Sequence, residues 1–380
     1  MILTNGRVIL ADTIRDDLDV EVRDGKIADL RPRGAAQNAI DLGKNFLGPG
    51  FVDLHVHGAL GRDAMEMSLE SFRVICDYHG RGGTTSLLLT TVTAEIKGIV
   101  SVLTRVREYR SQIPQIAGAH VEGPFISPHK AGAQNSEFIC EPKPEVTDQL
   151  LVDADVIKRV TLAPEIKGAL QAIERFVSSG ISVSGGHSDA LDEEARAGFE
   201  CGMRSATHTF NCMSSARRRG IYRIAGLLEF ALGEPEMNCE LIADGHHVSP
   251  TLMKMVYQAK GASGISLVTD ATSGAGLPNG TPFELGGRKC VVKNGVGLLA
   301  DESALAGSVA SMIDLVRTMV RDVRIPVPEA VAMASLNPAR QIGLPKKGEI
   351  AIGNDADLVV FSPEFEVKQT FVAGEQIYPP

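Results

Sequence analysis

The feature that most constrains the fold is a series of eight short apolar runs between residues 48 and 345, most of them separated by amphipathic or alanine-rich stretches. Each run has the length and aliphatic content of a buried strand. Alternation of strands and helices favours a parallel sheet, and eight repeats favour a closed (β/α)8 TIM-like barrel of the α/β class. The runs lie at residues 51–57, 84–90, 116–122, 158–163, 180–186, 204–210, 238–243 and 265–270.

An open, doubly wound sheet is the alternative architecture for the same alternation. Such a sheet normally carries a glycine-rich phosphate loop between an early strand and the helix after it. Here Gly80-Arg81-Gly82-Gly83 precedes a strand and does not open a helix. The sequence therefore favours the barrel.

Both ends of the chain carry short β-patterned runs. Residues 2–10 and 18–22 form two of them near the start, and Arg23-Asp24-Gly25-Lys26 is typical of a hairpin turn. Residues 356–361 and 367–372 repeat the pattern near the end. We predict one small β-sandwich domain built from both termini, with its parts at 1–47 and 346–380 and the barrel at 48–345.

Composition narrows the classes of partner. The formal net charge of −9 argues against a nucleic-acid-binding protein, because phosphate backbones require clustered positive charge. The 6 cysteines form no Cys-x-x-Cys pair, which favours free thiols in a reducing compartment. Neither a secretory signal nor an apolar run long enough for a membrane span is visible. We expect a cytoplasmic protein that acts on a small molecule, with no nucleic-acid or membrane partner.

Histidines and carboxylates follow the predicted strands where each strand ends, at the mouth where catalytic groups of such barrels lie. His55 and His57 are two residues apart on the first strand, so they point to the same face. Each of these side chains alone would be an ordinary buried polar group, but together they indicate a metal site. Imidazole and carboxylate without cysteine suit catalytic zinc, iron or manganese. The set is His55, His57, Glu122, His187, His208 and Asp270.

The motifs around these residues resemble the amidohydrolase superfamily and, within it, the N-acetylglucosamine-6-phosphate deacetylase family. The resemblance covers essentially the whole chain, and its most specific blocks are Glu122-Gly123-Pro124 and Thr269-Asp270-Ala271-Thr272. The matching stretches are residues 49–58, 120–125, 186–188, 208–211, 243–248, 268–272 and 353–359.

The resemblance implies that Glu122, His187 and His208 hold the principal divalent ion. It also implies that His55 and His57 allow a second ion, zinc being expected first and iron or manganese as alternatives. A bound ion lowers the pKa of its water from about 15.7 to near 7. Asp270 would accept a proton as the resulting hydroxide attacks the acetyl carbonyl and would then deliver it to the departing amine. The implied reaction converts N-acetylglucosamine 6-phosphate to glucosamine 6-phosphate and acetate.

The resemblance further implies contacts to the sugar phosphate. The arginine loop at residues 214–220 is one residue longer than the family pattern, so Arg219 is the preferred match and its neighbouring arginines stay open. Family members are commonly dimers in which this arginine reaches the neighbouring site, which implies a homodimer. The implied substrate-binding set is Gln134, Asn211, the backbone at Cys212, Arg219, His247, Leu305, Ala306 and Gly307.

Gln134 departs from the family pattern, which has a histidine that polarises the acetyl carbonyl at this position. An amide can donate a hydrogen bond to a developing oxyanion but cannot carry positive charge. Loss of an oxyanion donor costs on the order of 10²–10³ in rate. The departure leaves the reaction class in place and leaves open a different N-acyl sugar or another amide as the substrate.

Two other functions compete with a deacetylase. A cyclic-amide hydrolase of the dihydroorotase and hydantoinase type would need a carboxylated lysine at the end of the fourth strand, where Thr161-Leu162-Ala163-Pro164-Glu165 stands instead. A non-catalytic barrel acting as a scaffold would be expected to lose metal ligands, and this chain retains them.

Overall fold

A computed structural model describes residues 1–34 and 38–379. Its centre is a barrel of eight parallel strands that pair in chain order. A bridge between Val56 and Ala271 joins the last strand to the first, so the sheet is nearly closed. The predicted (β/α)8 barrel is confirmed. The strands are β1 (Phe51–Val56), β2 (Thr84–Thr91), β3 (Ile116–Glu122), β4 (Ile157–Leu162), β5 (Ser182–Gly185), β6 (Ser205–Ala206), β7 (Asn238–Leu241) and β8 (Ile265–Leu267).

Helices cover the outside of the barrel and bury one face each. Ala169, Ala172, Ile173 and Phe176 recur at helical spacing and are buried. None of the helices within the described ranges is long and apolar enough to cross a bilayer. The helices are α1 (Leu69–Arg81), α2 (Ile96–Tyr109), α3 (Pro144–Leu151), α4 (Ala169–Ser178), α5 (Asp192–Glu200), α6 (Leu227–Gly233), α7 (Pro250–Lys260), α8 (Met312–Arg321), α9 (Val327–Ala334) and α10 (Leu336–Gln341).

Two further sheets form the small β-domain from both ends of the chain. One has the strand order Lys26–Pro32, Leu18–Arg23, Ile2–Thr4, Ile40–Asp41. The other has the order Glu375–Tyr378, Val367–Val372, Leu358–Phe361, Phe46–Pro49, Arg7–Ile9, Ile14–Arg15. Leu3 and Val20 from the first sheet share a buried core with Leu47 and Leu358 from the second. The joint domain is thus confirmed, and its boundaries at 47/48 and 345/346 stay predictions.

Antiparallel insertions lie on the loops that follow barrel strands, and the smallest pairs Gly58–Ala59 with Arg62–Asp63 after β1. The strands Pro282–Leu285, Arg288–Lys293 and Val296–Leu299 form a sheet after β8. Its Phe283 and Leu285 pack with Val92 and Ala306, so the sheet rests on the barrel mouth. After β6, Arg217–Arg219 pairs with Tyr222–Ile224 in an exposed hairpin.

The sixth strand is much shorter than the sequence predicted. The expected run at 204–210 is a strand only at Ser205–Ala206. The backbone φ is 30° at His208, 82° at Phe210 and 46° at Cys212, values that an extended strand does not contain. This turn ends the ladder and brings the His208 imidazole into the mouth of the barrel.

Candidate metal centre

Glu122, the last residue of β3, lies at the centre of four buried imidazoles. Its Oε1 is 3.4 Å from His55 Nε2, 3.2 Å from His187 Nε2 and 3.1 Å from His208 Nε2. Its Oε2 is 3.3 Å from His57 Nε2. All five side chains are at most 5% exposed. They form two ligand groups that share Glu122: His55–His57–Glu122 and Glu122–His187–His208.

The spacing of these atoms fits a divalent metal ion. The Nε2 atoms of His55 and His57 are 3.1 Å apart, and those of His187 and His208 are 3.2 Å apart. Zinc–nitrogen bonds of about 2.0–2.1 Å in a tetrahedral site place two ligands about 3.3 Å apart. Ring nitrogens facing one another share at most one proton, whereas an ion satisfies both lone pairs. The two groups therefore indicate a divalent metal centre.

Three of the four imidazoles are oriented by backbone carbonyl groups. The Nδ1 atoms of His57, His187 and His208 lie within hydrogen-bond distance of these oxygens. A carbonyl only accepts, so Nδ1 carries the proton and Nε2 keeps its lone pair for the metal. The distances are 3.2, 2.8 and 3.2 Å, and the carbonyls belong in that order to Thr90, Lys130 and Asn211.

Asp270 follows β8 and faces the same centre. Its Oδ1 lies 3.3 Å from the Nε2 atoms of both His55 and His57. Burial disfavours its negative charge, but the two imidazoles outweigh burial and lower the pKa of Asp270 to about 2. Burial likewise opposes the charge of Glu122, and the surrounding histidines hold its pKa well below the usual range. Both carboxylates are ionised at neutral pH.

The stability of the metal-free protein should depend on pH. Burial opposes the charged form of His57, but Asp270 and Glu122 outweigh burial and raise its pKa to about 9. A pKa that is higher in the folded state than the unfolded value near 6.5 contributes stability to the fold. This contribution is complete below pH 6.5 and is lost as the pH rises through 9. We expect the Tm of chelator-treated protein to fall between pH 6.5 and 9 in calorimetry.

A bound metal ion replaces the proton on the His57 imidazole. Metal loading should therefore remove the fall in Tm between pH 6.5 and 9. His57→Gln should make the decline of the metal-free protein shallower, and His55 and His187, whose pKa values are raised as well, should retain part of it. His246→Gln, a change at an exposed imidazole, should retain it. Equal Tm values of the metal-free wild type at pH 6.5 and pH 9 would contradict the expectation.

A cavity of about 190 Å³ opens above the metal centre. It brings most of the predicted substrate-binding residues together with Asp270. Ala306 is not among the lining residues, because it is fully buried against the inserted sheet. In the part of the chain that the structure describes, no arginine or lysine lines this cavity. The predicted residues that do line it are Gln134, Asn211, Cys212, His247, Leu305 and Gly307.

A larger cavity lies beside this one, between the loops after β1 and β2 and the inserted sheet. It measures about 650 Å³ and is lined in part by Asp63, Val92, Phe138 and Phe283. Neither Asp270 nor the described metal ligands line it. We therefore place the chemistry in the smaller cavity.

Gln134 makes two contacts that the sequence did not predict. Its Oε1 accepts a hydrogen bond from the Thr93 N–H at 2.7 Å, and its Nε2 donates to Glu122 Oε2 at 2.5 Å. These contacts fix the orientation of the amide, since only the –NH2 end can donate to a carboxylate. Gln134 therefore touches the carboxylate that the two ligand groups share.

Arg219 lies outside the cavity of its own chain. Its guanidinium is exposed on the hairpin and pairs with Glu193 at 2.6 Å. Arg217 on the same strand pairs with Asp189 at 2.9 Å. The predicted contact of Arg219 with phosphate stays a prediction.

Asp53 and Asp244 are carboxylates near the site that were not predicted from the sequence. Asp53 accepts from Thr269 Oγ1 at 2.6 Å and joins β1 to the residues after β8. Burial raises its pKa to about 7. Asp244 accepts from His247 Nδ1 at 2.7 Å and so orients that imidazole. The sequence could have indicated Asp53, because it lies two residues before His55 on the same strand and so points to the same face.

A (β/α)8 barrel with two histidine–glutamate groups at its mouth is typical of metal-dependent hydrolases. The chain belongs to the amidohydrolase family, whose model matches residues 46–377. It is an amidohydrolase similar to N-acetylglucosamine-6-phosphate deacetylases, as the motifs predicted.

Three relatives illustrate the similarity. The N-acetylglucosamine-6-phosphate deacetylase of Lysinibacillus sphaericus is 34% identical, over 98% of this chain and 97% of the relative. The N-acetylgalactosamine-6-phosphate deacetylase of Escherichia coli O157:H7 is 33% identical, over 98% of both. A mutant N-acetyl-D-glucosamine-6-phosphate deacetylase from Mycobacterium smegmatis, solved in complex with N-acetyl-D-glucosamine-6-phosphate, superposes with a TM-score of 0.93 at 30% identity, over 99% of both chains.

Proposed function

We propose that this protein hydrolyses the acetyl amide of N-acetylglucosamine 6-phosphate to give glucosamine 6-phosphate and acetate. The observation that carries the proposal is the position of Asp270. Its Oδ1 lies 3.3 Å from two imidazole nitrogens of the metal centre, and its side chain lines the cavity above them. The similarity to deacetylases over nearly the whole chain supports the same reaction.

We assign the principal ion to Glu122, His187 and His208 and a second ion to His55, His57 and Glu122, with zinc as the expected metal. A divalent ion bound there supplies a Lewis acid for the amide carbonyl and lowers the pKa of water. Asp270 lines the cavity beside this centre, and in the proposed reaction it accepts the proton of the attacking water. It then gives that proton to the amide nitrogen, which leaves as a neutral amine.

Gln134 contributes to the acyl side of the site. One N–H of its amide is held by Glu122, which leaves the second for the acyl oxygen. Its donation would stabilise the negative charge that develops on that oxygen. This arrangement lets a neutral residue stand where the family pattern has a histidine.

The sugar phosphate would be held by residues from two subunits. His247, oriented by Asp244, and Asn211 line the cavity and offer hydrogen bonds to sugar hydroxyls. The phosphate needs positive charge, and the described lining supplies no arginine or lysine. We propose a homodimer in which Arg219 supplies this charge to the neighbouring cavity. The exposed Ile221 beside it on the hairpin, 80% exposed, supports a contact there.

Mixing two variants tests the shared site. Arg219→Ala should lower kcat/KM for the phosphorylated sugar about 10–100-fold, the loss expected for one charge-assisted hydrogen bond. Asp270→Asn should be inactive alone. When the two are unfolded and refolded together, hybrid dimers should contain one complete site and restore about a quarter of the wild-type rate.

A mixture no more active than the mean of its two components would contradict a shared site. Arg218→Ala in place of Arg219→Ala serves as the control, because it removes an equal charge from the same hairpin. It should be nearly as active as the wild type before mixing.

N-acetylgalactosamine 6-phosphate is the second candidate substrate. A relative of that specificity is 33% identical over 98% of this chain. We would compare amine release from the two sugar phosphates and from unphosphorylated N-acetylglucosamine by zinc-loaded protein. We expect the highest kcat/KM for N-acetylglucosamine 6-phosphate and a much lower value for the unphosphorylated sugar. A higher value for the galactose epimer would replace the proposed substrate, and equal values for all three would remove the role of phosphate.

A further inference from the structure

His55 differs from the other three imidazoles of the metal centre. Those three place Nδ1 against a backbone carbonyl, but His55 Nδ1 is buried and has no hydrogen-bond partner among the described residues. Buried polar atoms are nearly always paired. The ring is held in place by packing, with His120 edge-on at 4.5 Å between centroids. The unpaired nitrogen therefore points to a partner that the resting geometry holds slightly too far away.

A charged acceptor close to this nitrogen is the carboxylate of Glu240 on β7. Its Oε2 lies 3.9 Å from His55 Nδ1, and both side chains are completely buried. The same Oε2 accepts from the backbone N–H of His208 at 3.3 Å, and the Glu240 carbonyl accepts from Thr209 N–H at 2.8 Å. Glu240 thus contacts His208 from one group and lies close to His55 from the other. A movement of about 1 Å would bring its oxygen to hydrogen-bond distance of His55.

Arg159 on β4 makes a charged carboxylate possible at this depth. Its Nη2 lies 2.6 Å from Glu240 Oε1 and 2.5 Å from Ser205 Oγ, and both charged side chains are fully buried. An isolated carboxylate in the barrel core would be strongly unfavourable, whereas a paired one persists. The pair leaves Oε2, the oxygen not held by Arg159, directed towards His55 and His208.

We infer that Glu240 is a positioning residue that accepts the Nδ1 proton of His55 and so presents His55 Nε2 to a metal ion. The inference rests on the metal centre proposed above. A carboxylate fixes the tautomer as the three carbonyls do, and it also raises the basicity of the ligand nitrogen. Its loss should therefore weaken the ion in the His55–His57–Glu122 group more than the ion in the other group.

The test measures zinc affinity at each site by competition with a chelator of known strength. Glu240→Gln keeps the shape of the side chain and removes its charge. We expect it to lower the affinity for the ion of the His55–His57–Glu122 group about 10–100-fold, the range typical of groups that orient metal-binding histidines. The affinity for the ion of the other group should stay within a few-fold of the wild type.

A second variant separates positioning from simple stability. Glu240→Gln leaves the Arg159 charge buried and unpaired, which can destabilise the barrel by itself. The double variant Arg159→Met/Glu240→Leu removes both charges, and we expect its metal-free Tm to return towards the wild type. The selective loss of zinc should persist in it. Asp153→Asn removes another buried carboxylate, paired with Arg107, and should lower Tm with both zinc affinities unchanged.

Two results would overturn the inference. Wild-type affinity for both ions in the double variant would make Glu240 and Arg159 a structural ion pair only. A wild-type protein whose His55 binds no ion would also exclude this role of Glu240. The proposed deacetylase reaction would not be affected by that result, because it is tested separately by the assay of amine release.

Discussion

Replacing Asp270 with asparagine should reduce kcat for amine release by on the order of 10³–10⁴-fold, the range of general acid–base catalysis. In the proposed reaction Asp270, which lines the cavity beside His55 and His57, accepts the proton of the attacking water. Asparagine keeps its shape but cannot accept and return a proton. Because the loss would arise in proton transfer, KM should change much less than kcat. Steady-state kinetics with metal counted in the same samples measures both.

Metal content separates this explanation from the loss of a ligand. We expect Asp270→Asn to retain bound zinc, because the two ligand groups formed by Glu122 and the histidines remain. Asp16→Asn, a change at an exposed carboxylate, is the matched control and should be fully active. An Asp270→Asn protein that retains a tenth of the wild-type rate would exclude Asp270 as the essential base.

Replacing Glu122 with glutamine should remove both ions together. Its two carboxylate oxygens lie 3.1–3.4 Å from all four imidazoles, and among the described residues Glu122 is the side chain that the two groups share. Glutamine offers one neutral oxygen in place of two charged ones. The loss of affinity should exceed the about 10–100-fold effect of groups that only orient a ligand. Activity should fall with the metal.

The measurement is zinc per chain after dialysis against a weak chelator, together with the rate of amine release. Glu137→Gln, an exposed change on the loop after β3, is the control and should keep both ions. Loss of one ion while the other stays at wild-type affinity would show that Glu122 does not serve both groups.

The barrel and its polar mouth could be predicted because their signals are local. Each strand is a short apolar run, and each ligand stands where its strand ends. The sixth strand was predicted too long, because the positive φ values at His208 and Phe210 leave no mark on an apolar pattern. The inserted sheet at Pro282–Leu285 was missed, since its short antiparallel strands do not follow the alternation with helices.

The orienting contacts could not be predicted for a different reason. Glu240 and Arg159 lie on strands far apart in the sequence, and only closure of the barrel brings them to 2.6 Å. The bond from Gln134 to Glu122 likewise depends on how a loop folds back over β3. Comparison with the family pattern showed that Gln134 departs from it. Only the structure shows which groups the Gln134 amide contacts.

The most direct test of the proposed function is amine release from N-acetylglucosamine 6-phosphate during a zinc titration of metal-free protein, with bound zinc counted at each point. We expect the rate to rise with bound zinc and to level off when the metal centre is filled. Fully loaded, folded protein that releases no amine from this sugar phosphate or from its galactose epimer would contradict the proposal.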